Sequence, residues 1–109
     1  MRYMLLITDD GNGAGPEEIA ASPGYREWDT ALAGRGIPHA GVRLRPEGAV
    51  VRVRGGETLV TDGPFAETTE QIAGFEIVEC SDLDEAMETA AAHPSSAGFA
   101  IEIRPFPEA

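Results

Sequence analysis

Apolar positions run through this chain in two rhythms, one of period two and one near 3.6. Residues 2–8 are apolar on both parities, with Tyr3, Leu5 and Ile7 on one and Met4 and Leu6 on the other. A strand of that kind is covered on both faces. The run D-D-G-N-G-A-G at 9–15 is a loop without the G-x-G-x-x-G spacing that cradles phosphate. Ser22-Pro23 predicts a helix N-cap followed by proline at the first helical position, with one more helical turn at Pro16-Glu17-Glu18. Tyr25, Trp28 and Leu32 then recur at helical spacing, and Gly34 and Gly36 end the helix. Trp28 is expected in the core.

Residues 37–44 predict a second strand, with Pro38 tolerated near its start. Residues 50–54 and 57–61 flank Gly55-Gly56, the pattern of a two-residue hairpin. Its register follows: Arg54 opposite Glu57, Val53 opposite Thr58, Val51 opposite Val60. Residues 72–80 form a further strand. Ser81-Asp82-Leu83-Asp84-Glu85 carries capping-box spacing and an acidic first turn, both favourable at a helix start. Leu83, Ala86, Met87 and Ala90 form the expected buried stripe of that helix, and His93-Pro94 ends it. Residues 99–106 are the last strand.

The order is therefore β-α-β-(β-β)-β-α-β. Without the central hairpin it is βαββαβ, the ferredoxin-like α+β arrangement of an antiparallel sheet with helices on one face. Because the first strand is apolar on both sides, the other sheet face needs a cover. Leaving a few hundred Å² of it in water costs several kcal/mol, at roughly 25 cal/mol per Å². The expectation is a homodimer whose open faces pack together as a dimeric α+β barrel.

At 109 residues the chain reads as a single domain, 1–109. The formal net charge of -11 disfavours nucleic acid and anionic membrane as partners. The start of the chain has too short an apolar stretch for a signal peptide, and nowhere does an apolar run reach the roughly 20 residues of a membrane span; a cytoplasmic location is expected. Cys80 is the sole cysteine, so no intramolecular disulfide forms, and its apolar setting predicts a small buried filler. Arg43, Arg45, Arg52 and Arg54 make a local basic patch that either receives an anionic ligand or pairs with carboxylates.

The segment T-D-G-P-F-A-E-T-T-E-Q at 61–71 carries the most specialised turn chemistry. Asp62 can accept backbone N–H bonds, Gly63 permits positive φ, Pro64 fixes the next bend, and Phe65 can bury its ring. As architecture this is sufficient. As a site, Asp62 and Glu67 supply carboxylates at a strand end, with Glu70 a solvated third. His39 shares strand parity with Arg43. If Val42 and Leu44 face the helices, His39 and Arg43 face the dimer cavity, where His39 is a candidate general base. The candidate catalytic residues are thus Asp62 and His39, with Glu67, Arg43, Arg52 and Phe65 as ligand contacts. His93 is placed at a helix C-terminus, where the dipole favours it. No H-x-x-x-H, clustered Cys/His or carboxylate ladder predicts a metal, no G-x-S-x-G is present, and no cofactor is expected.

The run D-G-P-F-A-E-T, followed by Gly74-Phe75, Asp82-Leu83-Asp84-Glu85-Ala86 and Ile101-Glu102-Ile103-Arg104-Pro105, resembles the YCII-related family carrying the DGPF signature, over nearly the whole chain. The opening Arg2-Tyr3-Met4-Leu5-Leu6-Ile7 is similar too. The resemblance implies a ferredoxin-like fold, a dimeric α+β barrel and members of mostly unknown function. Many are encoded beside sigma factors of the extracytoplasmic-function type. The candidate residues point to small-molecule binding or cofactor-independent catalysis at a dimer cleft, and the resemblance adds the alternative of a non-enzymatic regulatory association with such a sigma factor. Two departures stand out. Thr69 occupies the place where the signature commonly has lysine. The wider group includes members with a His–Asp pair whose histidine lies on the first helix, and here that stretch offers Tyr25, Arg26, Trp28 and Asp29 instead.

Overall fold

The computed structural model describes residues 1–9, 16–63 and 71–107. Its elements in chain order are β1 (Arg2–Asp9), α1 (Pro16–Ala20), α2 (Pro23–Gly34), β2 (His39–Arg43), β3 (Gly48–Arg54), β4 (Glu57–Gly63), β5 (Gln71–Glu79), α3 (Leu83–Ala91), a 3-10 turn (Pro94–Ala97) and β6 (Ile101–Pro105). Local chemistry explains where the longer helices begin. The Ser22 hydroxyl accepts from the Tyr25 N–H at 3.3 Å, and Pro23 leads α2. The Asp82 carboxylate accepts from the Glu85 N–H at 2.9 Å, while the Glu85 carboxylate accepts from the Ser81 N–H at 2.9 Å. Each bond satisfies a backbone donor that the first helical turn leaves open.

Four strands form one antiparallel sheet in the order β2-β5-β1-β6, and β3 with β4 forms a separate two-stranded sheet. This mixed α+β architecture is compatible with the ferredoxin-like fold. The hairpin register is the expected one, and Gly55 and Gly56 take the positive φ angles of 57° and 80° that a primed turn requires. Directly opposed residues share a face, so the register sorts the side chains of the four-stranded sheet. One row is His39, Val78 and Tyr3; the next is Gly41, Glu76, Leu5 and Ile103; the third is Arg43, Gly74, Ile7 and Ile101. These rows face the helices, where Tyr3, Leu5 and Val78 join Trp28, Leu32, Ile37, Cys80, Ala86 and Ala90 in the core. Met4, Leu6, Phe75 and Ile77 lie on the other face, beside Val42. A bulge at Ala73 shifts the β1–β5 register after Ile7, and the Ala73 carbonyl accepts from the Leu44 N–H.

Two expectations are corrected. Val42 faces away from the helices and is 52% exposed, so His39 and Arg43 lie on the helix-covered face and not on the open one. Strand parity groups residues correctly but does not say which group meets the helices; packing against α2 decides that. In α3, Leu83 and Met87 are exposed, whereas Thr89 is buried with Ala86 and Ala90. Over nine residues the arc touching the sheet is narrow, and small side chains fill it. Among the described residues, no helix is long and apolar enough to cross a membrane.

Candidate functional site

Glu76 interrupts the apolar centre of β5 and points towards the helices, 2% exposed. Burying a carboxylate costs several kcal/mol unless its lone pairs are met. Here they are met from two sides. The Tyr25 hydroxyl of α2 donates to Glu76 Oε1 at 2.7 Å, and His39 Nδ1 stands 3.2 Å from Oε2. His39 Nε2 in turn stands 2.6 Å from Asp29 Oδ1. The result is a continuous chain, Asp29–His39–Glu76–Tyr25, joining α2 to the sheet. Both ring nitrogens of His39 face carboxylate oxygens. A ring with one proton donates to only one of them, so both bonds form only when the network holds a further proton on the ring or on a carboxyl.

The room for Glu76 comes from Gly41 directly across the strand pair. A Cβ at Gly41 would stand 2.5 Å from both Cδ and Oε2 of Glu76, and closer still to the Phe75 carbonyl oxygen. Trp28 supports the cluster from below. Its ring lies 5.0 Å from that of His39 and 4.7 Å from that of His93, and its indole N–H donates to the Thr89 carbonyl at 2.9 Å. Burial, then the hydrogen bond to Glu76 and its charge, push the Tyr25 phenol well above its ordinary pKa, so it is a donor throughout the physiological range.

A cavity of about 340 Å³ opens beside these groups, lined among others by Ile7, Ala20, Tyr25, Arg43, Glu76 and His93. Arg43 is held at its edge by Asp9 at 2.9 Å and by the Ser95 hydroxyl at 3.2 Å, and Arg45 pairs with Glu17 at 2.7 Å. These arginines pair with carboxylates, the structural alternative of the two that the sequence left open. The volume suits a small organic molecule, at the lower end of the range of ligand pockets.

Of the residues singled out from sequence, His39 and Arg43 meet here. Asp62 does not: it is exposed on β4, opposite Ala49, in the separate hairpin sheet. Arg52 is also on that hairpin and exposed. Glu67 and Phe65 lie outside the described residues, as does most of the specialised loop. Sequence reasoning missed Glu76, Tyr25, Asp29 and His93 as members of a site. A signal for Glu76 was present, since it shares strand parity with Gly74 and Val78 in a strand otherwise apolar at its centre. His93 departs from expectation most sharply. It is buried, and burial together with Arg43 and His39 pushes its pKa down to about 4. A neutral ring draws nothing from a helix dipole, so the dipole reading of His93 is withdrawn. Its Nδ1 instead accepts from the Ser95 N–H at 3.1 Å and caps the 3-10 turn. A His–Asp pair does exist, but here the histidine is on β2 and the aspartate, Asp29, is on α2.

Comparison with known proteins agrees with the resemblance read from the sequence. The family model described as the YCII-related domain matches residues 1–107. A curated relative, an uncharacterised protein of Rhizobium meliloti (strain 1021), is 46% identical over 69 residues, covering 58% of this chain and 54% of that protein. The matched region thus spans about half the length of the curated relative.

Proposed function

The chain belongs to the YCII-related family, and we propose that it binds a small organic molecule in the cavity between α2 and β2–β5, with Glu76 as a proton-accepting and proton-returning group. The observation that carries this reading is the buried Glu76 carboxylate at the cavity wall, held by Tyr25 and His39 over a glycine. A carboxylate buried this way is costly for stability unless something else calls for it. His39, anchored by Asp29, orients Glu76 and exchanges a proton with it. Arg43 closes the edge of the cavity. The chemistry within reach is cofactor-independent proton transfer, since the network supplies a buried carboxylate and a tethered hydroxyl donor.

A thermal-shift screen of the intact chain against small organic metabolites tests the binding. A ligand present at 100 times its Kd stabilises the folded state by about 2.7 kcal/mol, a shift of several degrees. The expected result is a hit that shifts the wild type and leaves Glu76→Gln unmoved. Hits that stabilise both proteins equally would move the site elsewhere and defeat the proposal.

The homodimer belongs to the same proposal. Its support is the apolar surface one copy leaves uncovered: Val51, Val53 and Val60 on the hairpin are 61%, 67% and 63% exposed, and Ile72 is 58% exposed. A two-stranded hairpin is marginal by itself in water and gains from a partner. Packing of open faces into a dimeric α+β barrel buries Val42, Phe75 and Ile77 as well. Light scattering at micromolar concentration is expected to give the mass of two chains and, for Val60→Asp, a shift towards one. A single-chain mass for the wild type sinks this part.

A further inference from the structure

The reading of the cavity as a ligand site leaves one buried group without a task. His93 is 1% exposed, and its Nε2 has no hydrogen-bond partner among the described residues. The tautomer is fixed by its other nitrogen, because Nδ1 accepts from the Ser95 N–H at 3.1 Å and therefore carries no proton. The proton of the neutral ring is on Nε2. A buried donor left unpaired costs about 1–3 kcal/mol, and native structures rarely keep one without use. The Trp28 ring, whose plane is 74° from that of His93, offers at most a weak π contact in compensation. His93 lines the same cavity as Tyr25, Arg43 and Glu76.

We propose that His93 is the ligand-anchoring residue of this cavity, its Nε2–H donating to the oxygen of a small, uncharged carbonyl compound. The inference rests on the cavity being the binding site. The charges around it select for a neutral acceptor. Arg43 is paired with Asp9, Arg45 with Glu17, and the two carboxylates Asp29 and Glu76 share the single ring of His39. Among the described residues no cation there lacks a carboxylate, and the cluster around His39 carries an excess of negative charge, which repels a carboxylate ligand. A neutral N–H donor suits a carbonyl oxygen and needs no counter-charge. With the oxygen on His93, the rest of a compact ligand lies against Ile7 and Ala20, within the same cavity as Glu76.

The test is NMR of the full chain carrying ¹⁵N-labelled histidine and methyl-labelled isoleucine and alanine, titrated with cyclohexanone, methylcyclohexane and cyclohexanecarboxylate. The expected result is that cyclohexanone moves the Ile7 and Ala20 methyl signals and shifts the His93 Nε2–H proton downfield. Methylcyclohexane moves the methyls alone, and cyclohexanecarboxylate moves neither. His93→Asn keeps an oxygen to accept from the Ser95 N–H and removes the Nε2–H, its own shorter amide N–H standing nearer the backbone. It is expected to weaken cyclohexanone about tenfold and leave methylcyclohexane unchanged, as loss of one hydrogen bond implies. If cyclohexanone moves the methyls but not the His93 proton, the anchor is refuted while the cavity stands. A larger response to cyclohexanecarboxylate than to the ketone overturns the uncharged ligand class. If no fragment moves any cavity methyl, the cavity reading fails and takes the anchor with it.

Discussion

Glu76 and Asp62 are both acidic residues on antiparallel strands, one on β5 and the other on β4. The first sits in the middle of a four-stranded sheet under α2, with both carboxylate oxygens engaged by a tyrosine and a histidine. The second sits on a hairpin, exposed, opposite Ala49. Asp62 belongs to the more conspicuous sequence. Glu76 belongs to the more consequential environment. A distinctive run such as D-G-P-F reports demanding backbone geometry, which turns need whether or not they do chemistry. A single carboxylate in an apolar strand reports a cost that the rest of the fold must offset.

The difference can be tested from its strongest consequence downwards. Gly41→Ala is expected to be the most severe change, because the added methyl meets the Phe75 carbonyl and the Glu76 carboxylate within a strand pair that cannot part. A destabilisation of about 3 kcal/mol or more by urea unfolding is predicted. A loss under about 0.5 kcal/mol would show that the Glu76 carboxylate is free to leave its seat, and the contrast with Asp62 would weaken.

Acid comes next. The folded pKa of His93 is depressed from 6.5 to about 4, so the unfolded chain takes up its proton first as pH falls. The contribution of the neutral ring is complete above pH 6.5 and is lost progressively between there and pH 4, on the order of 3 kcal/mol in all. Urea midpoints measured across that window should fall with pH in the wild type and fall less in His93→Asn. Equal slopes would place the acid sensitivity elsewhere.

Glu76→Gln is expected to cost about 1–3 kcal/mol, since the amide has one oxygen where the carboxylate presents one each to Tyr25 and His39. Glu76→Leu sharpens the point: a stability equal to or above wild type, combined with loss of ligand response, would mark the charge as held for function. At the low end, Asp62→Asn should change stability by less than about 0.5 kcal/mol, as is usual for exposed positions, and leave ligand shifts intact. A loss of ligand response in that variant would bring the hairpin back into the site.

Much of the fold was legible because its determinants are local. Gly55-Gly56 fixes the hairpin register through backbone conformations that other residues adopt only with strain. Ser22-Pro23 and Asp82 with Glu85 mark where helices begin, through side chains that reach no further than one turn. Trp28 and Cys80 are buried as their apolar settings required. The site was legible only in its strand half. His39 and Arg43 were placed together by parity, but their face was assigned wrongly, because alternation fixes which residues agree and not which side the helices take. Leu83 and Met87 failed for a related reason: a stripe predicts a buried arc, while its width depends on what the helix touches.

The sequence by itself determined the element order, the turns, the caps, the hairpin register and the kinship with the YCII-related family. These rest on interactions spanning a few residues or on patterns repeated along one strand. The tertiary structure alone decided that Glu76, 51 positions from Tyr25 and 37 from His39, would share a hydrogen-bonded chain with them. It also left His93 buried beside the same cavity, its Nε2 without a hydrogen-bond partner among the described residues. Those outcomes depend on which strands neighbour one another and which face α2 covers. Contacts at such separation follow from the register of β1, β2 and β5 and from the packing of Trp28, not from any spacing visible along the chain.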